Sequence, residues 1–80
     1  MKIEILFFAR LREILGESRL VEVPEGSRVG EVIARLAEEC ADPVFKNIPL
    51  KFAVNENFET ADRELKDRDR LALIMPMSGG

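Results

Sequence analysis

The 80-residue chain is long enough for one domain with one small core, and its 46% hydrophobic and 34% charged residues are typical of a globular rather than a disordered protein. A net charge of −3, with both signs interspersed, provides no basic stripe, so we expect neither nucleic acid nor a membrane surface as a partner. Because the chain has no histidine, it lacks the usual general base and the commonest metal ligand, and we do not expect it to catalyse a reaction alone.

The first predicted element is a strand over KIEILFF, residues 2–8, in which Ile3, Ile5 and Phe7 occupy one face. The opposite face begins polar and becomes apolar at Leu6 and Phe8, which a solvent-facing side does not require. The following segment, ARLREILG, predicts a short helix that ends at Gly16, where a left-handed backbone costs glycine little.

A second strand is predicted around Leu20, Val21 and Val23, before the turn PEGS. The main helix comes next, with Ser27 as its predicted N-cap and Asp42-Pro43 as its end. Its apolar positions recur at helical spacing and predict a stripe that lies on a sheet: Val29, Val32, Ile33, Leu36, Ala37 and Cys40. Its polar positions lie on the side of the helix away from the sheet: Glu31, Arg35, Glu38 and Glu39.

After a loop that contains Pro49, KFAVN and NFET predict two strands joined at residues 55–57, and RLALIM predicts the last strand. One main helix can cover one face of one sheet. The order of elements therefore predicts an α+β fold with a mixed sheet of four or five strands, in which the first and last strands lie side by side in the middle.

Strand alternation predicts an apolar patch on the sheet face opposite the helix. If Leu71, Leu73 and Met75 face the helix, then Ala72 and Ile74 join Leu6 and Phe8 on the other face. Phe58, after the turn at 55–57, extends this patch. An exposed apolar surface usually marks an interaction site, although irregular segments of the same chain are the alternative cover.

Other polar residues receive structural interpretations. We interpret the pairs Glu38-Glu39 and Asp67/Asp69 as solvated surface charge, and Cys40 as a small residue that closes the helical stripe.

No apolar run approaches the ~20 residues of a membrane span, and the N-terminal segment lacks the pattern of a signal peptide. These features, with a single cysteine, predict a cytoplasmic location.

Four segments together resemble a known family: LFFARLREILG, FAVNEN, the turn DRD and the final PMSGG. Their order and spacing are similar to those of the MoaD-type small subunits of molybdopterin synthase, within the MoaD/ThiS family of ubiquitin-like sulfur carriers. Two positions depart from the family pattern. Arg68 stands where glycine is usual, and Met75 stands where a second proline often precedes Pro76.

The resemblance implies a β-grasp fold and a function for the chain terminus. An E1-like adenylyltransferase would use ATP to adenylate the carboxylate of Gly80, with Gly79 beside it, and the terminus would then become a thiocarboxylate. The large synthase subunit, in an expected heterotetramer, would transfer that sulfur to a cyclic pterin precursor. The chain itself would bind no cofactor.

Partner contacts are predicted from the apolar patch and from the resemblance, which matches Arg12 to a basic position near the partner. The predicted partner-binding residues are Leu6, Phe8, Arg12, Phe58, Ile74, Pro76 and Met77. Residues 1–75 would form the domain and residues 76–80 a flexible tail. Two terminal glycines make the narrowest thread into a partner's active site, whereas small residues at a terminus also occur by chance.

Three hypotheses remain open at the level of sequence. The first is the small subunit of molybdopterin synthase. The second is another ubiquitin-like sulfur carrier, for thiamine synthesis or tRNA thiolation, or a protein modifier that forms an isopeptide bond. The third is an interaction domain whose diglycine is incidental. The FFARLRE segment favours the first hypothesis.

Overall fold

The computed structural model describes residues 1–40 and 51–74, and these residues form five strands and two helices. In chain order they are β1 (Lys2–Phe7), α1 (Ala9–Leu15), β2 (Ser18–Glu22), α2 (Val29–Cys40), β3 (Lys51–Val54), β4 (Asn57–Glu59) and β5 (Arg70–Ile74). Several predictions fall outside the described residues: the end of the main helix at Asp42-Pro43, the loop with Pro49, and residues 75–80, which include Met75 and the tail.

The five strands form one mixed sheet in the order β2-β1-β5-β3-β4. β1 and β5 are parallel neighbours in the middle, and the other neighbouring strands pair antiparallel. This arrangement confirms the predicted α+β architecture and the central position of the first and last strands. A parallel pair requires a long connection, which the chain provides with α2 and the β3–β4 hairpin between β1 and β5.

The core lies between α2 and one face of the sheet. Strand alternation buries Ile3, Ile5 and Phe7 of β1 beside Leu71 and Leu73 of β5. The predicted helical stripe supplies the other layer, with Val29, Val32 and Leu36 buried and Ile33 and Cys40 packed against the same cluster. The interpretation of Cys40 as a packing residue is therefore confirmed, and Glu38 and Glu39 are exposed as predicted.

The start of α2 differs from the prediction in the groups that cap the helix. The Ser27 hydroxyl donates a hydrogen bond to the carbonyl of Pro24 at 2.7 Å, and the N–H groups of Val29 and Gly30, which an N-cap at Ser27 would bind, donate to backbone carbonyls of residues 61–63. The carboxylate of Glu31 instead accepts the backbone N–H of Arg28 at 3.0 Å. The predicted N-cap at Ser27 is therefore wrong, because the hydroxyl closes the preceding turn rather than the helix.

The backbone of residues 61–65 satisfies further N–H groups at this helix start. The N–H groups of Val29 and Gly30 donate to the carbonyls of Arg63 and Ala61, each at 2.9 Å. A Cβ at Gly30 would lie 3.2 Å from the Ala61 side chain, so the close approach of this loop uses the small size of glycine.

The short helix α1 ends as predicted. Gly16 has a φ of 93°, a conformation that favours glycine, and its N–H donates to the carbonyl of Arg12 at 2.9 Å. Leu11 is fully buried and attaches this helix to the core. Within residues 1–40 and 51–74, neither helix has both the length and the apolar character that a membrane crossing requires.

Candidate functional site

The sheet face opposite α2, here called the outer face, has an apolar row across four strands. Phe58 of β4 pairs with Ala53 of β3, which pairs with Ala72 of β5, which in turn pairs with Leu6 of β1. Residues paired across strands project on the same side of a sheet. The row therefore continues from the β4 edge to the parallel pair at the centre.

The outer face is concave. It forms a depression of about 610 Å³, lined by Leu6, Phe8, Ala53, Asn55, Glu56, Phe58, Arg70, Ala72 and Ile74. The two alanines form its floor, because a methyl group projects least from the sheet. Phe58 and Phe8, at 72% and 46% exposure, are large side chains that stand at its rim. Such an apolar concavity on a chain of this size is suited to receive side chains of another protein.

The structure brings together the apolar residues that the sequence predicted for one patch. Leu6, Phe8, Phe58, Ala72 and Ile74 all line the depression, and the predicted strand alternation is confirmed. The described segments do not cover this face, since Phe58 and Phe8 remain exposed.

Sequence reasoning missed four residues of the depression. Ala53 follows from the alternation of KFAV, because its neighbours Phe52 and Val54 pair with the core positions Leu73 and Leu71 of β5. The other three are polar residues at one end of the depression: Asn55, Glu56 and Arg70. Their spatial proximity depends on the β3–β5 register, which no local pattern specifies.

A hydrogen-bond network fixes this polar end. The side chain of Asn55 accepts the Arg70 N–H at 3.0 Å and donates to the Asp69 carboxylate at 2.9 Å. The same carboxylate accepts the Lys66 N–H at 2.8 Å, and Asp69 is 8% exposed. The interpretation of Asp69 as solvated charge is therefore wrong, since its carboxylate is enclosed and accepts hydrogen bonds from Asn55 of the hairpin and from Lys66 in the turn before β5.

Arg12 lies beside the outer face rather than in its depression. Its guanidinium pairs with the Glu17 carboxylate, and both side chains are largely exposed. The two residues line a smaller concavity that shares Leu6 and Phe8 with the depression. The partner contact of Arg12 therefore stays a prediction. Glu17 would compete with a partner carboxylate for the Arg12 guanidinium.

The tail residues of the predicted site lie outside the described residues: Pro76, Met77, Gly79 and Gly80. The last described residue, Ile74, lines the depression at the end of β5 away from Arg70. Four residue-to-residue steps along the strand separate these two positions by about 13 Å. Within residues 1–40 and 51–74, no group of histidine, cysteine or carboxylate side chains has the proximity that a metal site requires.

Comparison with known proteins gives agreement over the whole chain. Residues 5–80 match the ThiS family. The chain is 35% identical to a molybdopterin synthase sulfur carrier subunit from Chlamydomonas reinhardtii, with 100% of both chains covered.

Two solved structures are also similar. One is a complex of subunits 1 and 2 of molybdopterin-converting factor from Helicobacter pylori, with 26% identity, a TM-score of 0.71 and 100% of both chains covered. The other is SAMP1 from Haloferax volcanii, with a TM-score of 0.84 and 100% of both chains covered. Its identity of 22% makes it evidence for the β-grasp fold alone.

Proposed function

The chain belongs to the ThiS family, and from that membership we propose that it is the sulfur carrier subunit of molybdopterin synthase. The observation that carries the proposal is the similarity to the Chlamydomonas reinhardtii sulfur carrier subunit, which covers 100% of both chains. The concave apolar outer face supports it, because a carrier must be held by another protein while its terminus reacts.

In this proposal the reactive group is the carboxylate of Gly80. A carboxylate is a poor electrophile, so one of its oxygens first attacks the α-phosphorus of ATP and pyrophosphate leaves. Hydrosulfide, the sulfur donor at the oxidation level of sulfide, then attacks the acyl carbon, and AMP leaves with the original oxygen. The product is a thiocarboxylate, in which one oxygen of Gly80 has been replaced by sulfur.

Two partners divide the remaining chemistry. An E1-like adenylyltransferase binds ATP and catalyses activation, so the carrier needs no cofactor of its own. The large subunit holds the thiocarboxylated carrier in a heterotetramer and passes the sulfur to a cyclic pterin precursor. The similarity to one chain of the two-subunit Helicobacter pylori complex supports the large subunit as a partner.

The carrier contributes a reactant and a docking surface rather than a catalytic group. It lacks histidine, and the carboxylate of Asp69, which the fold encloses, is bound to Asn55 and Lys66 at the end of β5 away from Ile74. We therefore assign the enzymatic activity to the complex. Because adenylation consumes ATP, we place the carrier in the cytoplasm.

The proposed docking surface is the outer face. Leu6, Phe8, Phe58 and Ile74 surround the alanine floor, and Ile74 lies next to the point where the tail begins. Docking there would place the start of the tail at the partner surface. Pro76 and Met77 would then continue the contact and direct Gly79 and Gly80 towards the active site.

Intact mass spectrometry tests the proposal directly. The chain is incubated with the adenylyltransferase of its own organism, ATP and a sulfur donor, and the expected product carries one sulfur in place of one oxygen at its terminus. Addition of the large subunit and the pterin precursor should return the original mass and yield molybdopterin. An unmodified terminus in the presence of a demonstrably active adenylyltransferase would contradict the proposal.

The same experiment separates the other sulfur carriers and the protein modifiers. A carrier for a different pathway would acquire sulfur but would not transfer it to the pterin precursor. A modifier would form higher-mass conjugates through Gly80 on lysine side chains of other proteins. An incidental diglycine would show neither product.

A further inference from the structure

The β3–β4 hairpin has a carboxylate at a backbone position that favours glycine. Its loop consists of Asn55 and Glu56, which connect the paired residues Val54 and Asn57. Both loop residues have positive φ, 50° and 73°. Two-residue hairpin loops of this kind prefer Asn followed by Gly, because an L side chain at the second position is disfavoured in the left-handed region.

Glu56 also lies at the polar end of the depression. The other charged residue there, Arg70, is already paired with the Glu4 carboxylate at 3.1 Å. Among the ion pairs formed within residues 1–40 and 51–74, none involves Glu56. The charge left without a counterion at this end of the outer face is therefore negative.

A protein that covers the apolar depression removes water from its rim. A carboxylate at the rim then favours a partner that places a cation beside it, and such charges affect the rate and specificity of association more than they affect the affinity. The start of the tail is distant from this polar end, since β5 runs about 13 Å from Arg70 to Ile74. Glu56 is thus positioned to influence docking rather than the chemistry of the terminus.

We propose that Glu56 is a specificity-determining residue of the outer face, and that it pairs with a lysine or arginine of the large subunit. This inference rests on the proposed function, from which the large subunit is taken as the occupant of the depression. Glutamate at position 56 takes the place of the glycine that the turn favours, and its carboxylate supplies the charge for recognition.

Two substitutions separate the charge from the backbone conformation. Glu56→Gln removes the charge and keeps the side-chain length, so the melting midpoint should stay unchanged while association with the large subunit weakens about threefold, the range of an exposed ion pair. Glu56→Gly also removes the left-handed side chain, and it should raise the melting midpoint by roughly 4 °C. It should nevertheless weaken association as much as Glu56→Gln does.

The charge reversal Glu56→Lys should weaken association by more than about tenfold, since it places like charges together. Its matched control is Glu38→Gln, an exposed carboxylate on α2 on the other side of the sheet. Association rates and dissociation constants are measured for each full-length variant with the purified large subunit, at low and at physiological salt. The association rate of the unmodified chain should fall more steeply with salt than that of Glu56→Gln.

The outcomes distinguish this inference from the function on which it rests. If the unmodified chain does not bind the large subunit, the proposed function fails and this inference fails with it. If the unmodified chain binds and Glu56→Lys binds equally well, the carboxylate remains solvated in the complex and only this inference is overturned. Equal salt dependence of the unmodified chain and Glu56→Gln would overturn it as well.

Discussion

Leu6 and Ala72 are partners in the parallel register of β1 and β5, which places a leucine side chain beside a methyl group at the centre of the outer face. On the other side of Ala72, the antiparallel register adds a second methyl group, that of Ala53. Large side chains therefore surround a floor of small ones. This alternation in size, rather than apolar character alone, gives the outer face its concave shape.

The first prediction concerns Phe58, the most exposed large apolar side chain of the depression. Phe58→Ala should weaken association with the large subunit by more than ~2 kcal/mol, the cost of truncating an interface anchor, and should change the free energy of unfolding by less than about 0.5 kcal/mol. Isothermal titration calorimetry and chemical denaturation measure the two quantities.

The matched control for Phe58 is Leu20→Ala. Leu20 is 66% exposed on β2 and does not line the depression, so this substitution should leave association unchanged. If both substitutions weaken association equally, the contact surface extends to the β2 edge and the depression is not its centre.

Ile74 provides a test of strand alternation. Ile74→Glu should abolish co-purification with the large subunit, because it introduces an unpaired charge where β5 meets the tail. The thermal midpoint should remain nearly unchanged, since Ile74 points away from the core residues Leu71 and Leu73. An unfolded variant would show instead that Ile74 belongs to the core.

Arg68 occupies a left-handed backbone position with a φ of 68°, where the resembling family usually has glycine. Its N–H donates to the Lys2 carbonyl at 2.7 Å, so the tertiary structure fixes this conformation. Arg68→Gly should therefore raise the free energy of unfolding by about 1 kcal/mol. In Arg68→Ala, which removes the charge but keeps the Cβ, chemical denaturation should show no such gain.

Asn55 should contribute to stability through its side chain. Asn55→Ala removes the acceptor for the Arg70 N–H and a donor to the enclosed Asp69 carboxylate, and we expect a loss of about 1 to 3 kcal/mol in the free energy of unfolding. Asn57→Ala is the control, because its side chain makes one exposed bond to the Asn55 carbonyl at 3.2 Å. Equal losses in the two variants would contradict a special role for the Asn55–Asp69 network.

The tail is tested by changes in length. One residue added after Gly80 should abolish sulfur transfer, because it moves the carboxylate by ~3.5 Å relative to the adenylating site. Deletion of Gly80 should be equally damaging, and neither change should alter the thermal midpoint. Thiocarboxylate formation by the extended chain, measured by intact mass, would argue against Gly80 as the sulfur carrier.

Several features of the fold follow from local sequence patterns. The period of two in KIEILF places Ile3 and Ile5 in the core and Leu6 on the outer face, and the period of 3.6 in α2 places Val29, Val32 and Leu36 against the sheet. Gly16 marks the end of α1 because its conformation is a property of one residue. These signals are readable in one sequence since each depends on neighbours a few positions away.

The candidate site depended on relationships that no short segment contains. Serine is a common N-cap residue, yet the Ser27 hydroxyl donates to the Pro24 carbonyl. Aspartate is usually a surface charge, yet the fold encloses Asp69 beside Asn55. The sequence by itself determined which face of each strand is apolar, because side-chain direction alternates along the chain. Only the tertiary structure decided that Ala53, Glu56 and Arg70 meet Leu6 around one depression, because the register between strands distant in sequence depends on the packing of the whole sheet.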